Sequence, residues 1–209
     1  DVLVTLTGDN ADGFTGEIPA AIDAPAPPGV FTGIDNILAG SSVNDSLLGL
    51  NTTATWQLDG SNTYTDTATF RSLSFANFEA LSGNMMADTF DITGVQTINL
   101  DGQGGDDVFR FLDDSATVDG FVLGDAGIDT LDFSALSSSA TVSVSLSSAG
   151  FVDGFDGSVS QITMDFTDID SVIAGDSSSD SLTGINAIGA WTVDEPGSYM
   201  AGGETLAFS

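Results

Sequence analysis

A long internal repeat is the feature that most constrains this chain. The stretch from Phe31 to Trp56 recurs from Phe166 to Trp191 without a gap, at a constant offset of 135 residues. Self-similarity at a fixed period is the signature of repeat architectures. We therefore expect the chain, 1–209, to be a single segment of a longer array. It divides into the end of a preceding repeat at 1–30, one full repeat at 31–165 and the start of the next at 166–209.

A shorter motif recurs inside the long repeat: a glycine, four variable residues, an aspartate, then Ser, Thr or Val and Leu or Phe. Its aspartates are Asp45, Asp88, Asp107, Asp129 and Asp180. They are spaced by 43, 19, 22 and 51 residues. Steps of roughly 20 residues, with one of roughly 40, are typical of a coil whose same corner returns at each turn.

Short runs of alternating apolar and polar residues lie between these corners, bounded by Gly, Asp and Ser. They occur at 2–6, 97–100, 141–146 and 162–166, and such runs predict half-buried strands. The sequence therefore predicts an all-β fold without helices, a right-handed parallel β-helix (β-solenoid) of roughly ten coils with Leu, Ile, Val and Phe inside. A β-sandwich is the alternative that the same strand pattern allows.

A proline-rich stretch interrupts the pattern at 17–30. It holds four prolines, whereas the matching stretch of the second copy is shorter and holds none. Because proline cannot donate to a strand ladder, the stretch predicts a loop that projects from the array.

The charge of the chain excludes several classes of function. It has 31 acidic and two basic residues, no His and no Cys, for a net charge of −29. Binding of nucleic acids or anionic membranes is excluded because it needs clustered cations. Zinc sites of the usual ligands, disulfides and His-based nucleophile systems are excluded because they need His or Cys. The apolar fraction is 41% and the mean hydropathy +0.20, which favours a folded interior over disorder.

Two corners, 100–109 and 123–131, resemble degenerate copies of the RTX nonapeptide, G-G-x-G-x-D-x-U-x. The phrases at 75–83 and 129–136 resemble the long-period repeats of very large bacterial surface proteins, RTX-like or filamentous-haemagglutinin-like adhesins. The resemblance covers essentially the whole chain through short motifs. It implies an exported, repetitive β-solenoid at the bacterial cell surface.

The RTX resemblance also implies calcium between successive corners. Calcium takes six to eight oxygen ligands, and glycines let backbone carbonyls converge on it. The sequence departs from the motif at Gln103 and Asp125, which stand where its second glycine should be. The alternative is that the corner aspartates cap turns by accepting backbone N–H groups, without a metal. The candidate calcium ligands are Gly102, Gly104 and Asp107 on one coil, Gly124, Gly127 and Asp129 on the next, and Asp88 below them.

These features predict a non-enzymatic structural segment of an extracellular bacterial repeat protein: a stalk, an adhesin, or a surface filament or layer. Its expected partners are adjacent repeats or like chains. A carbohydrate- or cell-binding module that presents the proline-rich loop is the alternative. A polysaccharide-acting β-helix enzyme is the third hypothesis, because clustered carboxylates of the kind that glycoside hydrolases use occur at Asp106, Asp107, Asp113 and Asp114.

Overall fold

The structure, a computed structural model, describes residues 1–18 and 29–209. Most of the proline-rich segment predicted at 17–30 lies outside the described residues. The described part consists of β-strands joined by turns and contains no helix, which confirms the all-β prediction. It accordingly has no helix long and apolar enough to cross a membrane. In chain order the strands are β1 (Leu3–Asn10), β2 (Gly13–Ile18), β3 (Gly29–Ile34), β4 (Asn36–Leu38), β5 (Ser46–Leu48), β6 (Ala54–Leu58), β7 (Thr63–Asp66), β8 (Arg71–Ala76), β9 (Ala80–Asn84), β10 (Thr89–Ile92), β11 (Val95–Gln96), β12 (Asn99–Gln103), β13 (Val108–Phe111), β14 (Thr117–Val118), β15 (Val122–Leu123), β16 (Thr130–Asp132), β17 (Ser143–Ala149), β18 (Phe155–Val159), β19 (Ile162–Ile169), β20 (Ser171–Ile173), β21 (Ser181–Thr183), β22 (Gly189–Thr192), β23 (Gly197–Ala201) and β24 (Glu204–Phe208).

Two large mixed sheets contain all of the described strands. The first has the order β21-β17-β18-β19-β15-β12-β9-β5-β1-β2-β3, with β11 and β14 paired beside it. The second has the order β22-β23-β24-β20-β16-β13-β10-β6-β7-β8-β4. A strand of the first sheet followed by a strand of the second is called a circuit below. Four circuits succeed one another in the middle of the chain, as β9–β10, β12–β13, β15–β16 and β19–β20.

Parallel pairing in register stacks the apolar side chains of successive circuits. In the first sheet the inward positions are Val4, Leu47, Leu81, Leu100, Val122 and Phe166. In the second they are Trp56, Phe90, Phe109, Leu131 and Val172. All of these side chains are buried. Removing such a column from water is the main stabilising term available to the fold.

The two sheets enclose one hydrophobic core. Phe14 in the first sheet contacts Tyr64 in the second at a ring-centroid distance of 5.7 Å. Near the other end of the stack, Phe155 in the first sheet contacts Tyr199 in the second with ring centroids 5.6 Å apart. Because each sheet turns one face to this core and the other outward, residues alternate between buried and exposed along most strands.

Antiparallel segments interrupt the parallel stack at four places, which is why the sheets are mixed. They are the meanders β1-β2-β3, β6-β7-β8, β17-β18-β19 and β22-β23-β24. Tight turns can join only antiparallel strands, and two of the turns contain Gly60 and the pair Gly202-Gly203 at positive φ.

The order of strands recurs with the long repeat. β4 and β5 lie 135 residues before β20 and β21. β19 contains the 135-residue equivalent of β3 and lies seven positions from it in the strand order of the first sheet. In the second sheet β20 likewise lies seven positions from its equivalent β4. Each repeat therefore adds the same number of strands to both sheets.

Candidate functional site

A ladder of aspartates links the corners of the four central circuits, with Asp88, Asp107 and Asp129 buried and Asp170 half-buried. Asp107 Oδ1 accepts the backbone N–H of Asp88 at 2.6 Å, and Asp129 Oδ1 accepts that of Asp107 at 2.8 Å. Asp170 Oδ2 continues the ladder by accepting the N–H of Asp129 at 3.1 Å. Each carboxylate therefore caps the backbone of the neighbouring circuit, whereas the sequence-based capping alternative placed the N–H donor in the local turn.

The other aspartates of the short motif make the same contact. Asp88 Oδ1 accepts the N–H of Ala54 at 2.7 Å. Asp45 and Asp180, which are related by the 135-residue offset, accept the N–H groups of Val2 and Val142 at 2.7 and 2.8 Å. The motif thus makes the same kind of hydrogen bond at two different corners: before a second-sheet strand at Asp88, and before a first-sheet strand at Asp45 and Asp180.

The glycine of the motif makes room for the second carboxylate oxygen. A side chain at Gly102 would fall on Asp107 Oδ2, and one at Gly124 would lie 2.7 Å from Asp129 Oδ2. Gly83 stands in the same relation to Asp88. In these three central corners the close approach of the carboxylate requires a glycine five positions before the aspartate, whereas at Gly40 the carboxylate stays 3.8 Å from where a side chain would begin.

The corner carboxylates lie in an environment that disfavours their charge. Asp88, Asp107 and Asp129 are at most 1% exposed, and their Oδ2 atoms have no hydrogen-bond partner among the described residues. Burial raises the pKa of Asp107 to about 8 and the pKa values of Asp88 and Asp129 to about 7. Burial also raises the pKa of Asp170 to about 6. Desolvation outweighs the backbone hydrogen bonds, which act in the opposite direction.

The position after the motif glycine is left-handed in three successive circuits. Asn84, Gln103 and Asp125 have φ values of 113°, 67° and 64°. In the RTX nonapeptide this position is a glycine, the residue that adopts such a backbone without strain. Gln103 and Asp125 thus depart from the motif in side chain but keep a glycine-like backbone.

The remaining candidate ligands lie in corner loops that pair with each other. Gly104 forms a parallel bridge with Ala126, and the Gly105 N–H donates to the Ala126 carbonyl at 3.0 Å. Gly127 has a φ of 150°, and a side chain at this position would fall on the Gly105 carbonyl. The structure therefore brings the predicted glycines of the two coils together, with part of their backbone used in pairing.

One carboxylate cluster of the described residues has ligand atoms spaced as a metal ion requires. It consists of Asp129, Asp153 and Asp170, whose closest oxygens lie within 4.8 Å of one another. Asp129 Oδ2 and Asp153 Oδ1 are buried and have no hydrogen-bond partner among the described residues. Three carboxylates at one point, two of them with an unpartnered oxygen, are a donor set that suits a hard cation.

Of the three carboxylates in this cluster, the sequence analysis named Asp129 as a candidate ligand but neither Asp153 nor Asp170. Asp170 is the 135-residue partner of Asp35, so its recurrence in the repeat was a usable signal. Asp153 lies outside the glycine–aspartate motif, between β17 and β18. Its place beside Asp129 depends on the antiparallel meander, which the short motif does not encode.

Comparison of the chain with protein-family models, with curated proteins and with solved structures gives no match.

Proposed function

We propose that this chain is a non-enzymatic structural segment of an extracellular bacterial repeat protein, a stalk, adhesin or surface filament. In this proposal its circuits form a right-handed parallel β-helix, and each repeat lengthens the stack. The observation that carries the proposal is the equal advance of both sheets, seven strands for each 135-residue repeat. A repeat that advances both sheets equally can be added again without disturbing the one before it.

The mechanism is geometric. Neighbouring strands are spaced by about 4.8 Å, so seven strands extend the stack by about 34 Å. The apolar columns of both sheets and the aspartate ladder are oriented along this direction, so each circuit is held to the next by burial and by backbone hydrogen bonds. Such a stack acts as a stiff spacer whose length depends on the number of repeats.

Calcium is the second element of the proposal, at the cluster of Asp129, Asp153 and Asp170. The fit rests on two observations: Asp129 and Asp153 each have a buried oxygen without a hydrogen-bond partner among the described residues, and the three carboxylates each place an oxygen within 4.8 Å of the others. A bound cation would supply the positive charge that these groups lack in a chain with a net charge of −29. Asp129 and Asp170 belong to neighbouring circuits of the aspartate ladder. A cation bound between them would therefore stabilise two circuits at once.

Insertion of one further copy of residues 31–165 after residue 165 tests the array function. Residue 31 is the 135-residue equivalent of residue 166, so the new junction keeps the sequence of the repeat. The expected result in small-angle scattering is a maximum dimension greater by about 34 Å at unchanged cross-section. A cross-section that grows with the insertion would overturn the proposal.

A glycan array and a polysaccharide turnover assay on the same chain separate the other hypotheses. The structural proposal expects neither saturable binding nor turnover. Saturable binding that is lost when the segment 17–30 is shortened would favour the binding module. Turnover that depends on a single pair of aspartates would favour the enzyme.

A further inference from the structure

The edge formed by β21 and β22, called the open edge below, lacks a partner strand on one side within the described residues. β21 pairs with β17 alone, and β22 pairs with β23 alone. Trp191 on this edge is 46% exposed. Beside it lies a pocket of about 270 Å³. The apolar side chains that line the pocket are Val142, Val144, Val172, Ala174, Leu182 and Phe208.

The corresponding strands of the first repeat, β5 and β6, are covered by β9 and β10. Trp56 stands 135 residues before Trp191 and is fully buried. Phe90 stacks on Trp56 with ring centroids 5.7 Å apart. On the other sheet, Leu81 lies opposite Leu47 in parallel register. Apolar side chains of the same kind are therefore covered in one repeat and uncovered in the other.

The pocket also has a counterpart in the first repeat. Phe208 pairs with Val172 as Phe75 pairs with Ile37. In the first repeat the ring of Phe78 packs edge-on against Phe75 at a centroid distance of 6.2 Å. Phe78 is 6% exposed and belongs to the turn that leads into β9. An aromatic side chain from this turn thus lies where the second repeat has its pocket.

Polar contacts fix the same segment to β5. Glu79 accepts the backbone N–H of Asp45 at 2.8 Å. The N–H groups of Glu79 and Ala80 both donate to the Asp45 carbonyl, at 2.9 and 3.1 Å. At the open edge the N–H of Asp180, the equivalent of Asp45, reaches only the Ser177 carbonyl at 3.4 Å, which is a weak hydrogen bond.

We propose that the open edge and its pocket bind a segment with the sequence of residues 77–92, supplied by another copy of this repeat. The phenylalanine at its second position enters the pocket, and the glutamate that follows accepts the Asp180 N–H. The segment then adds one strand to each sheet, and its second phenylalanine stacks on Trp191. The inference rests on the proposed function, because a stacked array is what brings such a segment to this edge.

The opposite edge of the stack explains why the occupant is a segment and not a second folded chain. That edge is formed by β3 and β4, whose equivalents β19 and β20 pair with β15 and β16. By this equivalence the β3–β4 edge matches a β15–β16 circuit, whereas the open edge matches a β9–β10 circuit. The two edges of one chain are therefore not complementary to each other. In a folded copy, moreover, residues 77–92 are already paired on both sides.

Extension of the full chain by residues 77–94 directly after Ser209 tests the proposal. Ser209 corresponds to Ala76 in the pairing of Phe208 with Phe75, so the extension continues the register of the repeat. The extended chain is expected to show blue-shifted tryptophan emission, reduced quenching by acrylamide and a higher unfolding temperature. Trp56 is already buried, so the change in emission reports Trp191.

Two matched variants of the extension provide the controls. Serine in place of its Phe78 equivalent, which is buried in the first repeat, is expected to abolish all three changes. Serine in place of its Met85 equivalent, which is 69% exposed in the first repeat, is expected to preserve them. Unchanged emission in the parent extension, or equal shifts with both serine variants, would overturn the proposal.

The scattering experiment on the inserted repeat keeps this result separate from the proposed function. If the inserted repeat lengthens the chain by about 34 Å while the extension leaves Trp191 exposed, the array function stands and the assignment of the open edge is wrong. If the inserted repeat does not lengthen the chain, the array function itself is wrong.

Discussion

The backbone N–H of Asp88 donates to Asp107 Oδ1 across 2.6 Å, while Oδ2 of the same carboxylate is buried without a partner among the described residues. The first contact needs only an acceptor, which a protonated carboxyl also provides. The second oxygen is better tolerated as a neutral group, because a buried unpaired charge costs far more than a buried neutral polar atom. The ladder therefore couples the stability of the stack to protonation.

We expect stability to fall as the pH rises from about 4 to about 8. Burial raises the pKa of Asp88 to about 7 and that of Asp107 to about 8, whereas an aspartate in an unfolded chain titrates near about 3.9. In this window the folded state holds protons that the unfolded state has lost. The free energy of unfolding is therefore largest near about pH 4 and levels off above about pH 8. Thermal unfolding at constant ionic strength with a chelator measures it.

Two substitutions separate the ladder from general charge repulsion. Asp107→Asn keeps an acceptor for the Asp88 N–H but cannot ionise, so it should flatten the pH dependence and stabilise the chain at pH 8. Asp165→Asn removes the same charge from an exposed position of β19 and should retain the wild-type slope. Equal slopes for wild type and Asp107→Asn would show that Asp107 does not titrate in this window.

Gly102→Ala should destabilise the chain by about 1–3 kcal/mol, the usual cost of overpacking. The new methyl group would fall on Asp107 Oδ2, so the carboxylate would have to leave the Asp88 N–H. Gly40→Ala is the matched control, because the nearest atom to its new methyl group is Asp45 Oδ2 at 3.8 Å. Chemical unfolding measures both changes, and losses of similar size would contradict the close-approach role of the motif glycine.

Much of this arrangement was predictable from sequence, because it repeats. The alternating run at 162–166 lies within β19, and the last two residues of the run at 97–100 begin β12. The motif spacing places Asp88, Asp107 and Asp129 in successive circuits. The antiparallel meanders were not predicted, although the Gly202-Gly203 pair is a hairpin signal. The partners of the carboxylates were also beyond prediction, since these hydrogen bonds join residues 19 to 41 positions apart.

Gln103→Gly should raise the free energy of unfolding by about 0.5 kcal/mol. A left-handed backbone costs a side-chain-bearing residue about 1–2 kcal/mol, and glycine avoids that cost while losing more entropy on folding. Gln57→Gly is the matched control in an exposed strand position of β6, where glycine should instead lower stability by about 0.5–1 kcal/mol. Urea unfolding of the pair checks the opposite signs, and a loss at both positions would contradict the role of the left-handed corner.

Asp153→Asn should reverse its effect on stability when calcium is added. Without calcium the substitution should stabilise the chain, because it removes a negative charge that repels Asp129 and Asp170. Burial is the main cause of the raised pKa values of these two groups, and the charge of Asp153 raises them further. With millimolar calcium, the unfolding temperature of wild type should rise, and magnesium at matched ionic strength should not produce this rise. Asp153→Asn should not show the rise, because one charged ligand is missing. Asp165→Asn, which removes the same charge from an exposed strand position and is not a member of the cluster, should respond to calcium as wild type does. If calcium and magnesium shift the wild-type unfolding temperature equally, the cluster is not a calcium site and its carboxylates belong to the ladder alone.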